Sequence, residues 1–473
     1  MVYSLAIGCG VALLAILAAA MFAALEPLWR DRRRELTILA AILALLAIIK
    51  CFLLPFFPGY PRDLFEFLSW GEVMTRSPAH VYDPQVNCRY LPGYLYAMWA
   101  AVGLARALNF GPEVTGASVS TLRVFVRFPP IVADFFLGLT VFAWMKMLSG
   151  ERRGPGAVML LALNPALLFT SVAWGQNDSV LTLPVMLAML MASQGNFALA
   201  GAGAALAVII KLQGLIVLPI LGLWILLHGR VRDWMVASVA FLATVAIAFA
   251  PFQVSKPWDF LVKVIASSAE YFPYTSLNAF NLMALVFGLR IRDSTTLLGV
   301  SAFSIGMFLM AALVLVALLI FWRVRSPRAM LYAAFLAYLG FFVLPTRIHE
   351  RYLYFALALL TPLALDSWAT MTMFTTLTVT FLANQIITLR FLDNLMTRPE
   401  HDSFASPIAC ANLFALAVAI AYGGFIIAKS TSRWPHLLRA FFDPFAQHGD
   451  LAPKTPNQPP LTAARAQRSS RPS

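Results

Sequence analysis

The chain has 473 residues, 60% of them hydrophobic and 12% charged, where a soluble domain has roughly 45–50% apolar and about 25% charged residues. That composition excludes a soluble globule, and runs such as residues 37–49 and 314–321, apolar on all sides, exclude the alternating segments of about 10 residues that build a membrane β-barrel. The net charge of +13 comes from 35 Lys and Arg against 22 Asp and Glu. Its basic residues sit at the ends of apolar runs, as in cytoplasmic loops, and form no basic-aromatic surface for nucleic acid.

An all-α polytopic membrane protein follows. At about 20 residues per span, about thirteen spans are expected, over residues 3–25, 36–57, 122–148, 156–174, 178–193, 195–210, 212–228, 232–251, 297–323, 329–345, 352–367, 369–389 and 405–428. Residues 1–35 read as an extra N-terminal span with an Arg-rich loop, and 36–252 as a module carrying the large outer loop 58–121. Residues 253–428 read as C-terminal spans with outer loop 253–296, and 429–473, with Lys429, Arg433 and Arg439, as a disordered, basic cytoplasmic tail.

Placing Arg30, Arg32, Arg33 and Arg34 in the cytoplasm puts Arg152, Arg153, Arg230, Arg232, Arg323, Arg325 and Arg328 there too, provided that residues 91–110 do not span. That segment is expected to lie along the membrane surface, with Tyr96 and Trp99 interfacial and Arg106 solvated. The unusual polar residues then share the outer face. Cys9, Cys51, Cys88 and Cys410 are far apart and imply neither a disulfide framework nor a metal cluster.

Asp63 opens an amphipathic segment whose Leu64, Phe67, Leu68 and Gly71 share one face. Such an Asp caps a helix or acts as a general base at the membrane surface, and Glu66, one turn on, is its nearest rival. The turn Trp174-Gly175-Gln176-Asn177-Asp178 reads as a plain connection or as neutral donors for a sugar or phosphate. Arg127 and Asp134, two helical turns apart, read as an ion pair or as part of a site. Lys211 snorkels to the interface or meets an anion. In Thr346-Arg347-Ile348-His349-Glu350-Arg351-Tyr352, three groups able to carry positive charge oppose the charge bias, which calls for an anionic partner.

At these residues the chain resembles the class C glycosyltransferases, in particular bacterial relatives of the GPI second-mannose transferase, and it is similar to the dolichyl-phosphate-glucose-dependent glucosyltransferases of N-glycan assembly. The matching pieces are Asp63 with the aromatic helix ending in Trp70, the Trp174–Asp178 turn, Lys211 with Gln213, residues 276–281 around Asn278, and His349-Glu350-Arg351-Tyr352. The resemblance implies two juxtamembrane helices in the first outer loop. It also implies inverting hexosyl transfer, with mannose the first candidate, from a polyprenyl-phosphate sugar to a lipid-linked or glycan acceptor outside the plasma (inner) membrane. Asp63 is then the base, with His349, Arg351 and their neighbours Arg347, Glu350, Lys211, Gln176, Asn177 and Asp178 at the donor. Glu66, Trp70 and Asn278 support the acceptor or the loops. No Asp-X-Asp occurs, so no metal site of the sugar-nucleotide type is expected, and a divalent cation is helpful but not required. A transporter or flippase is the alternative, but it predicts paired repeats and a polar path to the midplane. A non-catalytic scaffold leaves Arg347, His349 and Arg351 without a reason.

Overall fold

A computed structural model describes residues 2–110, 122–149, 153–254, 256, 257, 259–270 and 272–430. Arg152 and the expected tail from residue 431 on, with Arg433 and Arg439, lie outside the described residues. Almost everything described is helix; a two-residue-per-strand antiparallel hairpin, Thr296–Leu297 with Val300–Ser301, is the departure from an all-α fold.

Helix α1 runs Val2–Leu53 with non-helical backbone at Arg32 (φ −139°, ψ 32°) and Pro27 inside it. A straight helix of that length would reach about 80 Å, far beyond about 30 Å of hydrocarbon. The contacts show that it folds back. On helix α4, Phe128–Ser149, Thr140 meets Met21 Sδ at 3.6 Å, while Gly138, half a turn away, lies against Leu43. Met21 and Leu43 are therefore at one height, with Arg32 at the bend.

Among the described residues six helices are long and apolar enough to cross a membrane: Val2–Phe56, Leu122–Leu148, Val231–Gln253, Ala302–Val324, Trp368–Leu392 and Arg398–Ser430. The pair Gly154–Ala162 and Pro165–Trp174, bent by 45°, makes a seventh if it counts as one. At that bend Asn164 Oδ1 accepts from the Ala166 and Leu167 amides while its Nδ2 donates to Thr378 (2.8 Å), so the break leaves its polar groups satisfied. Four apolar helices are shorter, Asp178–Ser193, Phe197–Ile210, Leu212–His228 and Pro327–Val343. Asp178–Ser193 is buried along nearly its whole length. Small residues let these helices approach: Gly201 meets the Ala237 backbone and Gly203 meets Ala188, the packing that membranes favour where apolar burial offers no drive.

Two further helices pack on each other beside the bundle, the amphipathic α2 (Pro61–Arg76) and the more uniformly apolar α3 (Pro92–Ala107). Arg106 is not simply solvated, since it pairs with Glu72 of α2. The bundle has two chemically different ends. At one, Lys146 bonds Asp31 (2.5 Å), Arg153 bonds the Leu365 carbonyl (2.9 Å) and Arg328 bonds Asp366 (3.0 Å). At the other lie α2, the 174–178 turn, Lys211 and residues 346–352. Arg127 and Asp134 do not pair with each other. Arg127 binds backbone carbonyls, and Asp134 bonds Lys50 (2.6 Å) and Tyr354 (2.9 Å), because Lys50, not Arg127, reaches the same height in the membrane.

Candidate active site

Asp63 is the third residue of α2. The cap position is Tyr60, with no side-chain cap, so Asp63 is not an N-cap. Its Oδ2 instead accepts a hydrogen bond from Gln176 Nε2. The helix start is bolted to the 174–178 turn by Tyr60 N donating to Trp174 O at 3.1 Å. Gly59 (φ +69°) and Gly175 (φ +85°) make that approach possible: a Cβ would stand 2.4 Å from Leu64 Cδ1 at the first and 2.8 Å from Arg127 Cδ at the second. Arg127 is the clamp behind, donating to the carbonyls of Phe57 (2.7 Å), Leu54 (2.9 Å) and Val172 (3.2 Å).

Next to Gln176, Asp178 and Lys211 form a buried ion pair of 2.7 Å, their side chains 0% and 6% exposed. The Lys211 ammonium lies 5.7 Å from the Tyr90 ring and 5.9 Å from that of Tyr352, cation–π geometry that offsets part of its desolvation. Asn177 faces the Tyr90 and Tyr94 hydroxyls. Trp70, buried, stacks on Phe67 and Tyr90 at 5.9 and 5.2 Å and so holds Tyr90 from behind. Glu66 faces Arg89 at 3.6 Å, and burial, with the charge of Asp63 added, pushes its carboxyl up despite Arg89.

The segment 346–352 divides. Arg347 bonds Asp293 (2.7 Å) and stacks over Phe303 at 4.7 Å, whereas Arg351 Nη1 donates to Glu350 Oε1 (2.9 Å) and lies 3.4 Å from His349 Nδ1. His349 packs edge-on against Phe272 and Tyr352. Burial alone would raise the Glu350 carboxyl, but the His349 hydrogen bond and the Arg351 charge outweigh it and hold it at about 2. Burial first, then Arg351, pushes His349 below its ordinary value against the pull of Glu350. The charge of Asp63 acts on both His349 and Arg351, so the two loops lie within electrostatic reach of one another.

Residues 274–281 support this segment. The Arg347 amide donates to Tyr274 O and the Leu277 amide to Ile348 O, each at 2.9 Å, and Asn281 Nδ2 donates to the Phe342 and Pro345 carbonyls. Asn278, at φ +101°, accepts from Arg290 Nε through its side chain (3.1 Å) and from Asn384 Nδ2 through its carbonyl (2.8 Å). Sequence reasoning missed Tyr60, Tyr90, Arg290 and Asn384. Asn384 carried a usable signal, as one of two adjacent amides, with Gln385, in the apolar Trp368–Leu392 helix.

Trp174 Nε1, Gln176 Oε1, Asp178 Oδ2 and Arg351 Nε are buried with no hydrogen-bond partner within the described protein. Unsatisfied buried polar groups are costly and rare, so these atoms fit a polar ligand. Among the described residues, no three His, Cys, Asp or Glu side chains gather as metal ligands.

Residues 131–345 match the model of glycosyltransferase family 87. This stretch is similar to a glycosyltransferase. It holds the Trp174–Asp178 turn, Lys211, Asn278 and Arg290, while Asp63 precedes it and His349-Glu350-Arg351 follows it. No curated protein matches the chain. With the membrane helices, the match supports a membrane glycosyltransferase of the class C type, acting on a sugar donor and an acceptor.

Proposed function

We propose that the protein transfers a hexosyl group, mannosyl in the first instance, from a polyprenyl-phosphate sugar to a hydroxyl of a lipid-linked or glycan acceptor, with inversion. The observation that supports the reading is that Asp63, tied to Gln176, lies within electrostatic reach of His349 and Arg351 at the end of the bundle away from the basic loops. Asp63 takes the proton of the acceptor hydroxyl as that oxygen bonds the anomeric carbon. The bond from that carbon to the phosphate oxygen breaks on the opposite face, leaving polyprenyl phosphate. Arg351, with His349 and the Lys211–Asp178 pair beside it, stabilises the charge that develops there. Gln176, Asn177 and Asp178 face the sugar, and Arg347, Glu350, Glu66, Trp70 and Asn278 hold these groups in place. Because the chain supplies cationic charge at the leaving group, no divalent cation is required.

About thirteen spans at about 20 residues each remain our reading of the membrane topology, with α1 counted as two across its bend, the bent pair as one, and the four shorter helices and the short helical stretch Leu353–Leu360 with Thr361–Leu363 as spans. The basic end then faces the cytoplasm together with the C-terminus, and the site faces outward from the plasma (inner) membrane. Purified protein incubated with radiolabelled polyprenyl-phosphate mannose or glucose and a membrane lipid extract should yield a labelled acceptor in the presence of EDTA. Absence of transfer from both donors would sink the proposal.

A further inference from the structure

Around the proposed site Arg347, Arg351 and Lys211 each have a carboxylate at ion-pair distance, from Asp293, Glu350 and Asp178. Among the described residues Arg290 has none. Its side chain is exposed, yet it is held: Nε donates to Asn278 Oδ1 at 3.1 Å, and the guanidinium lies 5.1 Å from the Phe391 ring. The arrangement depends on two uncommon backbones, Arg290 at φ +57° and Asn278 at φ +101°. Three bonds lock it: Arg290 N to Ser276 O (2.9 Å), Asn384 Nδ2 to Asn278 O (2.8 Å) and Phe280 N to Asn384 Oδ1 (3.1 Å). A solvated surface arginine needs no such holder, and left-handed backbone outside glycine clusters at functional positions.

The direction of the charge matters as much as its support. Arg290 acts on Glu350 and on Tyr60, the residue that caps α2 and stands three before Asp63. Arg398 and Asp402 act on it with opposite signs. With Nε committed to Asn278, the terminal nitrogens keep the planar fork that suits a phosphate.

We infer that Arg290 binds a lipid-borne phosphate at the rim of the site, positioned by Asn278 and Phe391. The inference rests on the transfer reading above and adds to it an accessible cation beside the buried, paired Arg351. The phosphate belongs to the polyprenyl donor or to an acceptor phospholipid, two sources with the same chemistry.

The test uses full-length protein in phosphatidylcholine nanodiscs, with thermal stabilisation measured against added undecaprenyl phosphate and, separately, dioleoyl phosphatidylglycerol. Arg290→Gln should raise the half-saturating concentration of one lipid about ten- to a hundredfold, the size of a lost charged hydrogen bond. Arg290→Lys should fall between, and Asn278→Gly, which removes the side-chain acceptor but tolerates the positive φ, should shift in the same direction. A loss confined to undecaprenyl phosphate assigns the phosphate to the donor, and one confined to phosphatidylglycerol assigns it to a phospholipid. Unchanged affinity for both lipids in Arg290→Gln, or in Arg290→Lys should the first variant not fold, overturns the inference while the transfer activity stands. If the parent neither binds undecaprenyl phosphate nor transfers sugar, the transfer reading fails and the inference with it.

Discussion

Gln176 donates its side-chain amide to Asp63 across 113 residues of sequence. The bond fixes one carboxylate oxygen and leaves the other for a proton. It also joins the amphipathic helix α2 to the turn between two buried helical segments, so the position of the carboxylate is set from both sides.

Asp63→Asn should therefore fold, since Asp63 caps nothing, and lose about 10²–10⁴-fold in transfer rate, the usual loss with a general base. Glu66→Gln should stay within a few-fold of the parent. Rates are to be compared at matched melting temperature; a parent-like Asp63→Asn ends the base assignment.

Removing the tether tests the same carboxylate differently. Gln176→Leu keeps Asp63 but frees it to rotate, and misplacement of about 1 Å can cost about 10²-fold. The loss should appear in kcat, beyond any rise in donor KM from the lost sugar contact. A change confined to KM would leave Gln176 a sugar contact alone, with no part in holding Asp63.

Much of this was legible in the sequence because helices in lipid must satisfy their own backbones, which makes apolar length readable. The surface helix at Asp63 followed from Leu64, Phe67 and Leu68 on one face, and all three are buried in the structure. What could not be read was which charges meet. Arg127 and Asp134 stand two turns apart on the chain, yet Arg127 turns to four carbonyls and Asp134 to Lys50, because pairing depends on which segment lies alongside. Arg347 and Arg351, four residues apart, point to different carboxylates for the same reason. Arg290, placed by a backbone conformation, left no pattern at all.

The two ends of the bundle should differ in access. On a cysteine-free background, cysteine at Asn394, exposed near the site end, should react in intact cells with an impermeant maleimide. Cysteine at Arg325, at the basic end, should react only after lysis. The reverse pattern would place the proposed site in the cytoplasm.

Lys50 and Asp134 pair at 2.6 Å, their side chains 10% and 11% exposed. Lys50→Met should cost about 3–5 kcal/mol by leaving Asp134 charged and unpaired, whereas removing both charges in Lys50→Met/Asp134→Leu should recover much of that loss. A double-mutant cycle of thermal unfolding in detergent measures the coupling. Additive losses would mean that the ion pair contributes nothing beyond packing.

Glu350 gives the stability a definite acid limb. Folding lowers its carboxyl from an ordinary 4.5 to about 2, against the effect of burial, through the His349 hydrogen bond and the Arg351 charge. Unfolding restores the ordinary value, so the stabilisation is whole above pH 4.5 and fades as the pH falls towards about 2. His349 adds in the same direction. Its folded value lies below the ordinary 6.5, so the native state favours the neutral ring and loses stability as the pH drops below 6.5. The melting temperature of the parent should thus decline in two stages on acidification. In His349→Gln the stage beginning near pH 6.5 should vanish. In Glu350→Gln the stage below pH 4.5 should vanish, while at neutral pH that variant should already be about 3–5 kcal/mol less stable because Arg351 stays buried without its carboxylate. A Glu350→Gln protein that matches the parent at pH 7 and declines as steeply below pH 4.5 would show that the carboxylate does not hold Arg351 in place.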